Sequence, residues 1–146
     1  MAAGTSLLYS TEFYDLVKRH LKPHGMLQAW FPSGERVTEQ GFLRSLENSF
    51  PHLRCFPSVE GWGIHVLASM DPIESQTPGQ LAASMPADAK KDLLEWNSSG
   101  DVPAYLEPVI SREVPIGTLL TADPEVRITD DDPLNEYFLL RQLGVF

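Results

Sequence analysis

Glu60-Gly61-Trp62-Gly63 is the local cluster with the most chemical character in this chain. A carboxylate and an indole beside two glycines can hold an amine, through charge and through attraction of a cation to the ring face. The same four residues also read as a hairpin turn whose tryptophan covers the core. Trp30 is a second aromatic candidate, at the C-terminal end of the apolar run Met26-Leu27-Gln28-Ala29-Trp30-Phe31. Ligands of open α/β sheets bind beyond the carboxyl ends of the strands. A tryptophan in an apolar strand equally serves as core.

Other chemistries find less support. Neither G-x-G-x-x-G nor G-x-x-x-x-G-K-S/T occurs, and both motifs need glycines where backbone amides approach phosphate. His20 and His24 have the i, i+4 spacing that sets two metal ligands on one helix face, but Pro23 and Gly25 end the helix there. A histidine near the helix C-terminus fits the dipole better. Asp130-Asp131-Asp132 lacks the alternating oxygen ligands and distal glutamate of a calcium loop, so Asp132 reads as a helix cap. No metal site is expected. Cys55, the single cysteine, sits in Leu53-Arg54-Cys55-Phe56, where strand burial fits better than a reactive thiolate. There is no G-x-S-x-G elbow. No residue is assigned a catalytic role.

The composition is that of a globular chain: 146 residues, 42% hydrophobic and 21% charged. A net charge of −9 repels phosphate backbones, which argues against nucleic acid, and it suits a cationic ligand such as an amine. The same charge also serves simply to keep a protein dispersed. One cysteine permits no intrachain disulfide, as in a reducing compartment, and a cytoplasmic location is expected. No apolar run reaches the roughly 20 residues of a membrane span. The segment 1–6 has neither the charged nor the apolar region of a signal peptide.

The elements that must position these residues follow from periodicity and punctuation. Ser10 reads as an N-cap, with Glu12 in the first turn. Phe13, Leu16, Val17 and Leu21 then recur at helical spacing until Pro23 and Gly25. Met26–Phe31 follows as a buried strand ended by Pro32, and Ser33-Gly34 as a turn. Thr38 is expected to cap a second helix carrying Phe42, Leu43, Leu46 and Phe50. Strands at 53–56 and 63–69, joined by a short glycine-containing loop, predict an antiparallel hairpin. The alternation of strands with helices favours parallel pairing for Met26–Phe31.

Beyond 70 the character changes. Pro72 and Pro78 bracket an exposed connector. A helical turn is expected at 81–85, and a firmer helix at 90–96 anchored by Leu93, Leu94 and Trp96. Asn97-Ser98-Ser99-Gly100 then breaks the chain. Pro103 and Pro108 predict an extended stretch, and Pro115 opens a short helix at 116–120. Asp132 and Pro133 begin a last helix with Leu134, Tyr137, Phe138 and Leu140 as its contacts.

Several runs resemble the spermidine synthase-like (aminopropyltransferase) family. They are Leu7-Leu8-Tyr9-Ser10-Thr11-Glu12-Phe13-Tyr14-Asp15-Leu16-Val17-Lys18-Arg19-His20-Leu21-Lys22-Pro23, Gly25-Met26-Leu27-Gln28, Phe50-Pro51-His52-Leu53-Arg54 and Val59-Glu60-Gly61-Trp62-Gly63. The closing Thr129-Asp130-Asp131-Asp132-Pro133-Leu134-Asn135-Glu136-Tyr137-Phe138-Leu139-Leu140-Arg141 resembles a bacterial branch often fused to a membrane transporter-like region. The resemblance implies an α/β fold: the C-terminal half of a Rossmann-like, methyltransferase-type sheet, with a helical C-terminal tail. Met26–Phe31 would be the fifth of seven strands, and 53–56 with 63–69 the closing antiparallel pair. Residues 1–70 would belong to the α/β half, and 71–146 to a linker and tail packed on it.

On this resemblance the chain begins, at Ala2-Ala3-Gly4, just after the catalytic Asp-Pro loop. The family's glycine-rich loop, ribose-binding acid and catalytic aspartate would lie upstream. No cofactor is therefore expected on this chain alone, and no activity without a partner. Tyr9, Trp30, Glu60 and Trp62 are its candidate substrate-binding residues. Two family segments that contact the polyamine differ here. Trp30-Phe31-Pro32 stands in place of Gln-Gly-Glu, and Ser58-Val59-Glu60-Gly61 in place of Tyr-Pro-x-Gly. Specificity for a diamine is thereby in question. A half sheet would also leave one edge of Met26–Phe31 unpaired, an edge that seeks another strand. The expected partner is a second copy or a separate chain supplying the N-terminal half. Three readings stand: an inactive family fragment, one subunit of a split transferase, or a non-catalytic dimerising domain.

Overall fold

Ser10 adopts extended backbone and its Oγ accepts the Phe13 N–H at 3.1 Å, which starts helix α1 (Thr11–His20). Lys18, Arg19 and His20 occupy its last turn, where cations complement the dipole. Phe13, Val17 and Leu21 pack against the core as their spacing predicts, but Leu16 is exposed and the fully buried residue is Tyr14. The computed structural model describes residues 6–32, 34–97, 100–121 and 126–145. Ala2-Ala3-Gly4, Ser33, and Ser98-Ser99 of the expected break fall outside that set.

Strand β1 (Met26–Phe31) leads into helix α2 (Arg36–Ser49), then strands β2 (His52–Pro57) and β3 (Ile64–Ser69). Helix α2 starts two residues before the expected cap. Glu35 holds the cap position, and Thr38 donates its hydroxyl to the Glu35 carboxylate at 2.9 Å. The sheet order is β1-β3-β2, with both pairings antiparallel. The hairpin of β2 and β3 is as expected. The parallel pairing of β1 is not found: β1 and β2 run the same way, but β3 lies between them and takes both ladders. The tight 58–63 loop returns the chain directly alongside β2, so β3 occupies the place a parallel neighbour would need. β1 forms one edge of this sheet.

Period-2 alternation divides the sheet. Leu27, Ala29 and Phe31, with Leu53, Cys55, Ile64, Val66 and Ala68, face α1 and α2. There they meet Tyr14, Phe42, Leu43, Leu46, Phe50 and Ile128, all nearly inaccessible to solvent. Phe31 stacks on Phe42 at 5.0 Å between ring centroids. Gly41 lets Ile128 approach α2, since a Cβ there would stand 2.9 Å from Ile128 Cγ1.

The remaining helices are α3 (Pro78–Ser84), α4 (Ala87–Glu95), α5 (Val102–Ile110), α6 (Ile116–Leu119) and α7 (Phe138–Gln142). A capping box of Thr77 and Gln80 starts α3 earlier than the expected 81–85 turn. Helix α4 ends before Trp96, which is 91% exposed and anchors nothing. The stretch with Pro103 and Pro108 is helical, not extended. Pro103 sits in the first turn, where its missing N–H is no loss. Pro108 removes one internal bond, and Val102 is buried nonetheless. Pro115 is the residue before α6. A 3-10 turn (Leu134–Tyr137) precedes α7. Its start is set by Thr129, whose Oγ1 accepts the Asp132 N–H at 3.0 Å, a turn in place of the expected Asp132 cap. Leu134 packs against the core, whereas Tyr137 and Leu140 are partly exposed and outside it. The side chain of Phe138 lies outside the described residues.

Polar side chains of α2 hold the later segments in place. Gln40 bonds Leu119 O at 2.8 Å and Thr121 N at 2.6 Å; Arg44 donates to Thr121 O at 2.7 Å; Ser45 Oγ bonds both N and O of Ile128 at 3.1 Å. Among the described residues no helix is long and apolar enough to cross a membrane.

Candidate functional site

The second sheet face is only partly covered. Strand register sets its side chains in rows: Trp30, His65 and Phe56; then Gln28, Leu67 and Arg54; then Met26 and Ser69. Together with α5 and the 57–62 loop they line an open groove of about 1030 Å³. The volume is in the range of ligand clefts.

Trp30, Trp62 and Glu60 meet at one end of this groove. The two indoles stand edge to face, 5.4 Å between centroids with an interplanar angle of 80°. Trp62 Nε1 donates to Glu60 Oε2 at 3.2 Å. Neither indole is core: Trp30 is 37% and Trp62 50% exposed. The loop that brings them together is a turn, with Gly61 N–H to Ser58 O at 3.1 Å and Ser58 N–H to Gly63 O at 3.0 Å. Gly63 has φ +85, and a Cβ there would lie 2.7 Å from Trp30 Nε1 and 2.8 Å from Phe31 O. Only glycine lets the loop close onto Trp30 in this way.

Tyr9 is not part of the groove. Its ring packs edge-on against Phe31 and Phe42 at 5.3 and 5.5 Å, beneath the opposite face. Its hydroxyl donates to Trp30 O at 3.3 Å, on the β1 backbone. Burial raises its pKa.

Sequence reasoning passes over His65 and Gln28. They are joined through Gln28 Nε2 and His65 Nδ1 at 3.1 Å, and the His65 ring lies 6.3 Å from that of Trp30. The alternation that puts Leu27, Ala29 and Phe31 in the core puts Gln28 on the face of Trp30, so the signal was present in β1. It also passes over Arg54. This guanidinium forks onto Glu113 (2.7 and 2.5 Å), donates to Glu74 O at 3.0 Å and lies over Phe56. Glu113 is 59 residues away in sequence, beyond any local pattern. Arg54 holds the Glu113 carboxyl below the ordinary carboxylate range. No ion pair to Glu60 forms among the described residues.

The histidine pair at the end of α1 does not converge. His20 Nδ1 bonds Leu16 O at 2.9 Å, and His24, at φ 60, contacts Asp71 at 3.1 Å. Among the described residues no group of three or more His, Cys, Asp or Glu could hold a metal. Cys55 is fully buried, and burial, with Glu113 nearby, pushes its thiol up to about 11. A buried thiol raised in this way is a poor nucleophile at neutral pH.

No family model and no curated protein matches the chain. Among solved structures it is similar to a probable spermidine synthase from Corynebacterium glutamicum, with 20% sequence identity and a TM-score of 0.44. The alignment covers 70% of this chain and 36% of that one, so the chain spans about a third of that protein's length.

Proposed function

We propose that this chain is the amine-binding, C-terminal half of a spermidine synthase-like transferase. The observation that carries the reading is the perpendicular Trp30–Trp62 pair with Glu60 beside it, at the end of an open groove. Two π-faces and a carboxylate form a corner suited to an ammonium group, and the acidic chain attracts cations. The runs resembling that family support the same reading.

The chain's part is to bind and orient the amine acceptor. Its residues contain no glycine-rich loop for a nucleoside donor, and no step of group transfer is assigned to them. A second chain or segment supplies that half, joining at the outer edge of β1, where no strand pairs among the described residues. The same edge supports the alternative of a dimerising interaction domain, because an unpaired strand edge is a template for another strand.

Calorimetric titration with a short diamine, with decarboxylated S-adenosylmethionine and with 5′-methylthioadenosine, run beside light scattering, tests this. Amine binding without nucleoside binding is expected. Nucleoside binding in the absence of amine binding would refute the assignment. A clear homodimer that binds neither would favour the interaction domain.

A further inference from the structure

We infer that Arg112, a residue outside the groove's aromatic corner, positions the loop carrying Glu60 and Trp62. The inference rests on the corner proposed above as the ligand site, and it names the group that holds that site in shape.

Residues 112–114 run along the outer edge of β2, and each makes a different bond to the hairpin. Val114 N–H donates to Cys55 O at 3.0 Å in an isolated antiparallel bridge. Glu113 takes the fork of Arg54. Arg112 Nη1 reaches past the end of β2 and donates to Ser58 O at 3.0 Å and Val59 O at 3.2 Å. The strip therefore does more than cover a sheet edge. Its first residue grips two successive carbonyls at the start of the 58–63 loop.

The loop has few other fixings. Its internal bonds include those of Ser58 with Gly61 and Gly63 and that of Trp62 with Glu60, and its glycines Gly61 and Gly63 both have positive φ. Val59, Glu60, Gly61 and Trp62 are exposed. A loop with so little burial has low local stability. Fixing Ser58 O and Val59 O fixes the backbone immediately before Glu60. Glu60 in turn holds Trp62 through its Nε1–H, and Trp62 completes the corner with Trp30. Both bonds come from one terminal nitrogen of the guanidinium, whose two N–H groups serve the two carbonyls. Arg112 itself is exposed, so its removal leaves the core untouched.

The test is Arg112→Ala and Arg112→Lys, read by the circular-dichroism exciton couplet of the Trp30–Trp62 pair without ligand and by titration with a diamine. Trp62→Phe identifies the couplet. Arg112→Ala is expected to abolish the couplet and weaken amine binding about tenfold, or about 1.4 kcal/mol, with Tm unchanged. Arg112→Lys is expected to recover part of both. A couplet and affinity equal to wild type in Arg112→Ala would overturn the inference. Loss of the couplet in a protein that binds no amine even as wild type would uphold the positioning role and refute the amine reading. Should Arg112→Ala lower Tm, Arg112→Lys decides: a weakened couplet at unchanged Tm supports the inference, and an unchanged couplet overturns it.

Discussion

Gly63→Ala and Gly61→Ala form a matched pair that tests how the corner is built. Both glycines have nearly the same backbone, φ +85 and +84, so a methyl group at either meets the left-handed penalty of about 1–2 kcal/mol. Alanine also narrows the unfolded ensemble, which returns about 0.4–1 kcal/mol. For Gly61, with nothing within 4 Å of the new Cβ, these alone apply, and a net cost of about 1 kcal/mol follows. For Gly63 the new Cβ would stand 2.8 Å from Phe31 O, a backbone atom in the β1–β3 ladder, and 2.7 Å from Trp30 Nε1. The indole can swing, but the carbonyl cannot move without breaking the ladder. Overpacking of this kind costs about 1–3 kcal/mol. The expected total for Gly63→Ala is about 2–4 kcal/mol. Urea denaturation followed by far-UV circular dichroism measures both, and near-UV dichroism reports Trp30. Equal costs for the two variants, or an unshifted Trp30 signal in Gly63→Ala, would refute the close approach of loop and strand.

Three further outcomes are expected. Cys55, with its thiol pushed up to about 11 in a buried site, should resist thiol reagents at pH 7–8 and react at once in denaturant. Tyr14→Phe should be neutral or stabilising by about 1 kcal/mol, because its hydroxyl is buried without a partner among the described residues; a clear loss in urea midpoint would show a bond that the structure lacks. Glu35, bonded by Arg141 and Thr38, and Glu113, forked by Arg54, both have lowered carboxyl pKa values. A carboxyl lowered on folding stabilises fully above its unfolded value of about 4.3 and loses that contribution as pH falls through its folded value. Urea midpoints should therefore drop below about pH 4.3, and the drop should be smaller in Glu35→Gln and Glu113→Gln.

What was legible in the sequence was local. The Ser10 cap, the strand Met26–Phe31 and the glycine hairpin each depend on residues within a few positions and each is found, although Met26–Phe31 is buried on one face only and not throughout as expected. The stretch with Pro103 and Pro108 is helical although prolines favour extended backbone. In a nine-residue helix one of them falls in the tolerated first turn. Trp96, expected to anchor its helix with Leu93 and Leu94, lies past the end of α4 and is exposed, because tertiary contacts decide burial. Thr38 carried cap chemistry, yet it serves the Glu35–Arg141 pair, whose members are 106 residues apart. In the candidate site, Trp30, Glu60 and Trp62 could each be picked out by type. That they meet could not be read, because their meeting depends on the β1–β3 register and on Gly63. Tyr9 belongs to the longest resembling run, and its side chain lies under the other face.

The most direct test of the central claim is a titration of this chain with a short diamine, followed by tryptophan fluorescence in wild type, Trp30→Ala and Glu60→Gln. Saturable quenching with a Kd on the order of 1 mM, lost in both variants while their urea midpoints stay near that of wild type, is the result the account predicts. No saturable change in the wild type, or binding that survives both substitutions, would contradict it.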